Sequence, residues 1–247
     1  MKLLKIQLLC LLCLLSFVFY KTTNALATTS NTTPWPNNTV FYIENKTIPI
    51  WDKIQSCIDE INKLTNVKMK KIEISPDSPS AYIYFEYKTG GGNYATSIGY
   101  ANRPIKIHFN ADYRTMHELM HVLGFIHEQK RSDRDNHIEI IYENFNQDNS
   151  KWNDSEILKK EENSINLTEY DIDSCMQYWC SAGGTKVPWY KRMFTPNYNN
   201  EYITMKYKKD PHLKFGTNEH LSPKDILGIN TFYKSNRRLR RRKHKKI

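Results

Sequence analysis

Cysteine is scarce in this 247-residue sequence: there are five, and Cys10 and Cys13 lie in an apolar run over residues 6–20. The run follows a short basic start and precedes Ala25-Leu26-Ala27, the small-x-small pattern of a cleavage site. We therefore predict a cleaved secretory signal peptide over residues 1–27. An uncleaved anchor is the alternative, although the run is shorter than the ~20 residues of a bilayer span.

Three cysteines remain after that cleavage, and an odd number leaves at least one thiol unpaired within the chain. Cys57 belongs to an apolar stripe at helical spacing, which indicates a buried small hydrophobic residue and not a nucleophile. Cys175 and Cys180 are near enough in sequence to form a local bridge, which sequence alone does not establish.

Long apolar runs are absent after residue 27, so we expect no transmembrane segment once the signal is removed. Acidic residues are absent from residues 237–247, which carry eight Lys or Arg and account for most of the net charge of +10. We predict a disordered basic tail there. It is either a solvated end without a partner or a tether to a polyanion, such as an acidic glycan or an anionic surface. The tail has no aromatic residue to stack on bases, which argues against sequence-specific nucleic-acid binding.

Five asparagines are followed by x-Ser or x-Thr without an intervening proline, and they support a secreted, glycosylated product: Asn31, Asn37, Asn45, Asn153 and Asn166. Because the chain is rich in Asn and Thr, several of these acceptors would arise by chance.

Hydrophobic periodicity predicts an α/β (α+β) domain over residues 28–236. Alternation indicates strands, and a period near 3.6 indicates helices. The predicted strands cover residues 40–43, 67–74, 81–87, 94–101 and 105–109, and the predicted helices cover residues 51–64, 113–125 and 223–233. Ser222, Pro223 and Asp225 form the start signal of the last helix.

Three of the eight histidines lie within eleven residues, in the pattern H-E-x-x-H-x-x-G-x-x-H over residues 117–127. On a helix, His117 and His121 present two imidazoles to one point, which suits a zinc ion. Glu118 can reach a water on that metal without being a ligand. Gly124 allows the chain to turn, so that His127 returns as a third ligand.

Three protein ligands plus water is the open arrangement of catalytic zinc. The other known design recruits a distant glutamate as third ligand, and Glu139 and Glu143 are available for it. Gly124 with His127 makes them unnecessary. The alternative to a zinc site is a histidine-rich surface helix that binds nothing and has no function.

The motif resembles the metzincin signature, and Glu128 after the third histidine is similar to the astacin family. The family's Met-turn resembles Ser174-Cys175-Met176-Gln177-Tyr178 (residues 174–178), and the resemblance spans about residues 34 to 233. It implies a twisted, mostly parallel five-stranded sheet with two long helices, an N-terminal subdomain to about residue 127, an active-site cleft, and an irregular C-terminal subdomain that ends in one helix.

The resemblance also implies residue roles. His117, His121 and His127 would bind one catalytic Zn²⁺, and Glu118 would be the general base. Met176 would form the apolar floor beneath the metal, and Tyr178 would stabilise the developing oxyanion. A protein or peptide substrate would lie along residues 94–101 as an added strand. Lys186, Lys191 and Arg192 fall where the family builds its primed-side pocket, which suggests an acidic residue after the cut.

Cysteines that the family uses for disulfides are missing: Asn66 stands where the first is expected, and Lys234-Ser235 ends the last helix. Gln177 replaces the Met-turn histidine, a structural position. The predicted function is a secreted zinc endopeptidase. Two other classes are an inert secreted binding protein that keeps the zinc site, and a polyanion-binding protein that acts through its tail.

Overall fold

The protein is described by a computed structural model over residues 24–90, 92–111, 113–145 and 159–234. Its strands are β1 Asn24–Thr29, β2 Thr39–Ile43, β3 Lys68–Ile72, β4 Ile83–Tyr87, β5 Tyr94–Ala95, β6 Ile105–Phe109, β7 Ile138–Ile140, β8 Ser164–Thr168, β9 Asn197–Tyr198, β10 Glu201–Tyr202 and β11 Met205–Tyr207. Its helices are α1 Trp51–Leu64, α2 Thr115–Val122 and α3 Pro223–Phe232. The predicted signal segment up to residue 23, Asn153 and the basic tail lie outside the described residues.

A five-stranded sheet with the order β3-β2-β4-β6-β5 forms the first half of the domain. β2 is parallel to β3 and β4, β4 is parallel to β6, and only β5 is antiparallel, to β6. The mixed α+β fold and the mostly parallel sheet are therefore confirmed. β5 lies at an edge of the sheet, on the side of the metal-binding motif.

Helix α1 has the bounds that periodicity predicts, and its buried stripe, Trp51, Ile54, Cys57, Ile58 and Ile61, packs into the main core. Helix α2 is shorter than predicted, because it begins only after Arg114, which adopts a left-handed conformation, and ends at the turn formed by Gly124 (φ +107°). Helix α3 begins at the predicted cap: the Ser222 hydroxyl accepts from the Asp225 N–H, and the Asp225 carboxylate accepts from the Ser222 N–H.

The strand predicted over residues 94–101 has only two residues in the structure. The Thr96 N–H still donates to Lys106 O (3.0 Å), but Gly99 adopts φ +77°, and the next N–H, of Tyr100, donates to Thr33 O (2.8 Å). The chain therefore turns away from β6 to contact the N-terminal segment. Sequence alternation alone could not reveal that long-range contact.

Strand β1 was not predicted. It pairs antiparallel with β8, and Leu26 and Ala27 are buried. Gly228 on α3 permits the close approach of β1, because a Cβ there would lie 2.5 Å from Leu26 Cβ. The predicted cleavage point after Ala27 falls inside this strand.

The second half of the domain has a hydrophobic cluster of its own, which includes Ile138, Phe145, Cys180, Met205 and Phe215. Cys57 and Cys175 belong instead to the main core. All three described cysteines are free and buried, and burial raises the pKa of the Cys57 thiol to about 12. Across the described ranges, none of the helices combines the length and apolar character that a bilayer crossing requires.

Candidate active site

Helix α2 places His117 and His121 one turn apart. The helix starts after Arg114, which adopts a left-handed conformation (φ +61°), and its core-facing residues include Met116, Leu119 and Met120, all fully buried. This apolar face fixes the orientation of the helix on the sheet, so the two imidazoles are held in one direction.

A Schellman motif ends the helix. The Gly124 N–H donates to His121 O (2.9 Å) and the Phe125 N–H to Met120 O (3.1 Å), while Gly124 adopts φ +107°. Most side chains would be strained in this conformation, which glycine adopts readily. The predicted turn at Gly124 is thus present, and it directs His127 back towards the helix.

The three histidines form one cluster whose ligand atoms lie within 4.8 Å of one another. His121 Nε2 and His127 Nε2 are 3.0 Å apart. His117 Nδ1 is 2.8 Å from Cys175 O, and His121 Nδ1 is 2.9 Å from Phe125 O. Because a carbonyl oxygen only accepts, these Nδ1 atoms carry the protons and leave the Nε2 lone pairs for a cation.

Burial favours the neutral form of two histidines of this cluster. Desolvation, together with the neighbouring imidazoles, holds the pKa of His117 and of His127 well below the usual range. Neutral imidazole is the form that binds a metal. A nitrogen-only donor set of this size fits Zn²⁺, and no acidic residue is needed to complete it.

Glu118 lies beside this cluster with its side chain almost fully buried. Its Oε2 has no hydrogen-bond partner among the described residues. Burial raises the pKa of Glu118 to about 8, against the attraction of Arg114 and of the Ala95 backbone N–H. A buried carboxylate with a free oxygen beside a metal site is suited to hold a water molecule and take its proton.

The Met-turn lies directly behind His117, since Cys175 supplies the carbonyl that accepts from its Nδ1. Asp225 of α3 holds this segment: its carboxylate accepts from the Ser174 hydroxyl (2.7 Å) and from the Cys175 N–H (3.1 Å). Burial raises the pKa of Asp225 to about 6. Met176 is fully buried in the main core.

The segment after His127 is tied to the Met-turn by polar contacts. The Glu128 N–H donates to Met176 O (3.0 Å), and the Gln129 side-chain oxygen accepts from the Tyr178 N–H (3.1 Å). The Glu128 carboxylate is buried and accepts from Arg131 Nη1 (2.9 Å). Gln177 accepts from the Tyr170 hydroxyl, so the amide has a defined structural role at its position.

Tyr178 extends over the histidines, with ring centroids 4.4 Å from His127 and 5.8 Å from His117. The guanidinium of Arg114 lies over two rings, 4.9 Å from the centroid of Tyr178 and 4.7 Å from the centroid of Trp179. Arg114 also donates to Gly216 O (3.2 Å). A cation that contacts two aromatic rings restrains both of them.

These residues border a cleft of about 390 Å³. Its walls combine β5, α2 and the Met-turn, and the lining residues are Thr29, Asn93, Tyr94, Ala95, Ile98, His117, Glu118, His121, Ile126, His127, Lys130, Glu161 and Tyr178. The predicted site residues His117, Glu118, His121, His127 and Tyr178 thus share one cavity.

Other sequence-based candidates lie elsewhere. Glu139 is exposed on β7 and Glu143 is exposed in a 3₁₀ turn, and the histidine cluster contains neither. Lys186 forms an ion pair with Glu201 (2.9 Å), and the cleft-lining residues do not include Lys191 or Arg192. The acidic preference after the cut stays an untested prediction.

Sequence reasoning missed the role of Arg114 and the second role of Asp225. Arg114 precedes His117 by three residues and so shares its side of the helix, a signal that could have identified it. Asp225 was recognised only as a helix cap. Its contacts to Ser174 and Cys175, about fifty residues away, have no local sequence signature.

Comparisons with known proteins agree with this geometry. The sequence model of the astacin peptidase family matches residues 27–234. Over 169 residues the chain is 32% identical to the dorsal-ventral patterning protein tolloid of Drosophila melanogaster, covering 67% of this chain and 15% of tolloid. Over 121 residues it is 37% identical to the low choriolytic enzyme of Oryzias latipes, covering 48% of this chain and 36% of that enzyme. The chain therefore spans well under half the length of these relatives.

A similar solved structure is that of high choriolytic enzyme 1, a hatching enzyme zinc-protease from Oryzias latipes. It aligns with a TM-score of 0.61 and 22% identity, over 82% of this chain and 93% of that one. Myroilysin aligns with a TM-score of 0.53 and 19% identity, over 84% and 98% of the two chains. At these identities the structural likeness supports the fold.

We predict that Asp225→Asn destabilises the protein. The amide N–H₂ group would face a group that now donates a hydrogen bond to the carboxylate, and that hydrogen bond would be lost. The expected loss in the free energy of unfolding is about 2–3 kcal/mol, the range for a buried polar group left without a partner. Urea unfolding measures it. Asp52→Asn, in the first turn of α1 but exposed, is the matched control and should cost under about 0.5 kcal/mol. Equal losses in the two variants would contradict the anchoring role.

Proposed function

Because the chain belongs to the astacin family of peptidases, we propose that it is a secreted zinc-dependent endopeptidase that hydrolyses peptide bonds in proteins. The observation that carries this proposal is the juxtaposition of three clustered histidines with the free Oε2 of the buried Glu118 carboxylate in one cleft. An inert binding protein would not need a buried carboxylate with one free oxygen at this place.

His117, His121 and His127 would hold the zinc ion, which fits their donor set. When bound, zinc supplies Lewis-acid chemistry that polarises a carbonyl and acidifies water. Glu118 would take a proton from the attacking water at its free Oε2 and pass it to the leaving amine. Since a nearby dication favours the charged form of a carboxylate, Glu118 would be ionised for the first step when the site is occupied.

Tyr178 would act on the oxygen of the reacting carbonyl group. Its ring borders the cleft beside His127, so its hydroxyl can donate to an oxygen on which negative charge develops. Arg114, which packs against the ring, would hold Tyr178 in place. Met176 would support the site from below, through the backbone of the Met-turn.

The substrate would bind as an extended chain along β5. This strand is at the sheet edge and lines the cleft next to Glu118, so a peptide can add to that edge by main-chain hydrogen bonds. Since β5 has only two residues, we expect fewer main-chain hydrogen bonds to the substrate than a strand over residues 94–101 would provide. Side-chain contacts in the cleft must then contribute more of the affinity.

Glu118→Gln should keep zinc, but its rate of hydrolysis should fall roughly a hundredfold or more. The substitution removes the proton acceptor and none of the ligands. Zinc content and casein cleavage by the purified protein are the measurements. Glu139→Gln is the control, since it removes an exposed carboxylate that lies outside the histidine cluster. Near-normal turnover in Glu118→Gln, or loss of its zinc, would show that the assignment is wrong.

Tyr178→Phe should lower kcat by about tenfold to a hundredfold and leave KM nearly unchanged, because the hydroxyl acts mainly in the transition state. Steady-state kinetics on a peptide substrate test this, with the exposed Tyr142→Phe as control. An effect confined to KM would instead assign Tyr178 to ground-state binding.

Secretion is part of the proposal, and β1 bears on the position of cleavage. Ala27 O accepts from the Ile126 N–H (3.0 Å), and Leu26 packs against Gly228. Cleavage after Ala27 would remove these contacts. We therefore expect the N-terminus of the secreted protein to lie at or before Asn24, which N-terminal sequencing determines. A start at Thr28 would support the boundary predicted from sequence and show that β1 is dispensable.

The basic tail is proposed as a tether to a polyanion, independent of the catalytic site. Deleting residues 237–247 should lower the salt concentration that elutes the protein from immobilised heparin, because eight positive charges are lost. Cleavage of a small peptide should not change. If both forms elute together, the tail is a solvated end without this role.

A further inference from the structure

Four large apolar side chains project into solvent from one short segment, residues 188–196, which we call the aromatic loop. Their exposed fractions are 78% for Trp189, 60% for Tyr190, 91% for Met193 and 86% for Phe194. Met193 and Phe194 are more exposed than any other large hydrophobic residue in the described part of the chain. Clustered exposure of this kind marks a surface that contacts something apolar.

The aromatic loop is held by its own backbone. The Lys191 N–H donates to Pro188 O (2.9 Å), and the N–H groups of Phe194 and Thr195 donate to Lys191 O (3.0 Å each). The Asn197 amide closes the loop by donating to Arg192 O (2.8 Å) and Thr195 O (2.7 Å). The apolar side chains are therefore displayed by an ordered turn, which lowers the entropic cost of binding.

Positive charge accompanies the apolar side chains. Lys191 and Arg192 lie between the two apolar pairs, and both are exposed. Residues 174–200 contain no Asp or Glu. In the described ranges, no carboxylate lies within ion-pair distance of Lys191 or Arg192, whereas nearby Lys186 is paired with Glu201. The loop thus offers uncompensated cations next to exposed aromatic rings.

The shape of this surface limits what it can bind. It is a projecting turn of nine residues, whereas a stable protein interface takes about 20–30 residues from each side. It does not line the cleft that holds the histidines. Trp and Tyr prefer the boundary between lipid headgroups and acyl chains, where Lys and Arg contact anionic headgroups. Apolar tips with two cations between them match a lipid surface better than a protein groove.

We propose that the aromatic loop is a membrane-surface contact that inserts Trp189, Met193 and Phe194 into the interfacial region of an anionic bilayer. Lys191 and Arg192 bind the headgroups by charge, and the loop positions the cleft near the membrane. This contact needs neither a transmembrane helix nor the zinc site. It is therefore tested independently of the proposed peptidase activity.

The test uses the full chain and vesicles of phosphatidylcholine with about a third phosphatidylserine. Co-sedimentation measures binding, and tryptophan quenching by brominated lipid measures insertion. We expect the protein to bind these vesicles with quenched fluorescence. The triple variant Trp189→Ser, Met193→Ser, Phe194→Ser should bind at least about tenfold more weakly and show no quenching. Lys191→Glu with Arg192→Glu should weaken binding to the anionic vesicles.

The matched control replaces three exposed apolar residues elsewhere, by Ile74→Ser, Tyr142→Ser and Leu227→Ser, and should bind like the parent. A form without residues 237–247 separates the basic tail from the loop, because a tail held by charge alone gives no lipid quenching. The proposal is wrong if the parent protein does not bind, if the loop variant binds equally well, or if only the tail deletion abolishes binding. It is also wrong if sedimentation velocity detects a dimer of the parent protein that the loop variant does not form. The aromatic loop would then bind a second copy of this chain.

Discussion

The reversal of the chain at Gly124 is the constraint on which the site depends. His127 can face His121 only if the helix stops there, and the positive φ of Gly124 permits the stop. The turn is also tightly covered: Thr28 Oγ1 donates to Gly124 O (2.7 Å), and a Cβ at Gly124 would lie 2.8 Å from Thr32 Cγ2. The N-terminal segment thus packs on the turn that supplies the third histidine, which couples the position of β1 to the geometry of the metal site.

The remaining geometry comes from polar contacts between segments that are distant in sequence. Asp225 joins α3 to the Met-turn, and Cys175 O passes that restraint to His117 Nδ1. Glu128 joins the segment after His127 to Met176 O. Because each of these groups is buried and has specific partners, displacement of one would leave others unsatisfied, at a cost of about 1–3 kcal/mol each. The cleft is therefore preorganised by hydrogen bonds as well as by apolar packing.

Sequence patterns predicted the parts of the fold that depend on interactions between residues close together in the chain. The apolar stripe of α1, the capping box of α3 and the spacing of the histidines depend on residues within a few positions of one another, and the structure confirms all three. The early end of β5 and the existence of β1 depend on contacts with distant segments, so periodicity could not show them. Arg114 is intermediate: its spacing from His117 was visible, but its stacking on Tyr178 and Trp179 required the Met-turn to be placed in space.

The missing family disulfide shows how the terminal helix is held without a covalent bond. Asn66, which stands at the expected cysteine position, donates its N–H to Asn230 Oδ1 (2.6 Å), and Asn38 Nδ2 donates to Tyr233 O (3.2 Å). Two such hydrogen bonds stabilise by about 0.5–1.5 kcal/mol each, against about 2–5 kcal/mol for a native disulfide in a small secreted domain. Burial of Tyr233 adds to these hydrogen bonds. Tyr233 is 1% exposed, and its hydroxyl donates to Leu123 O (2.9 Å), directly before Gly124. The contact that fixes the end of α3 therefore also braces the turn that brings His127 to the metal site.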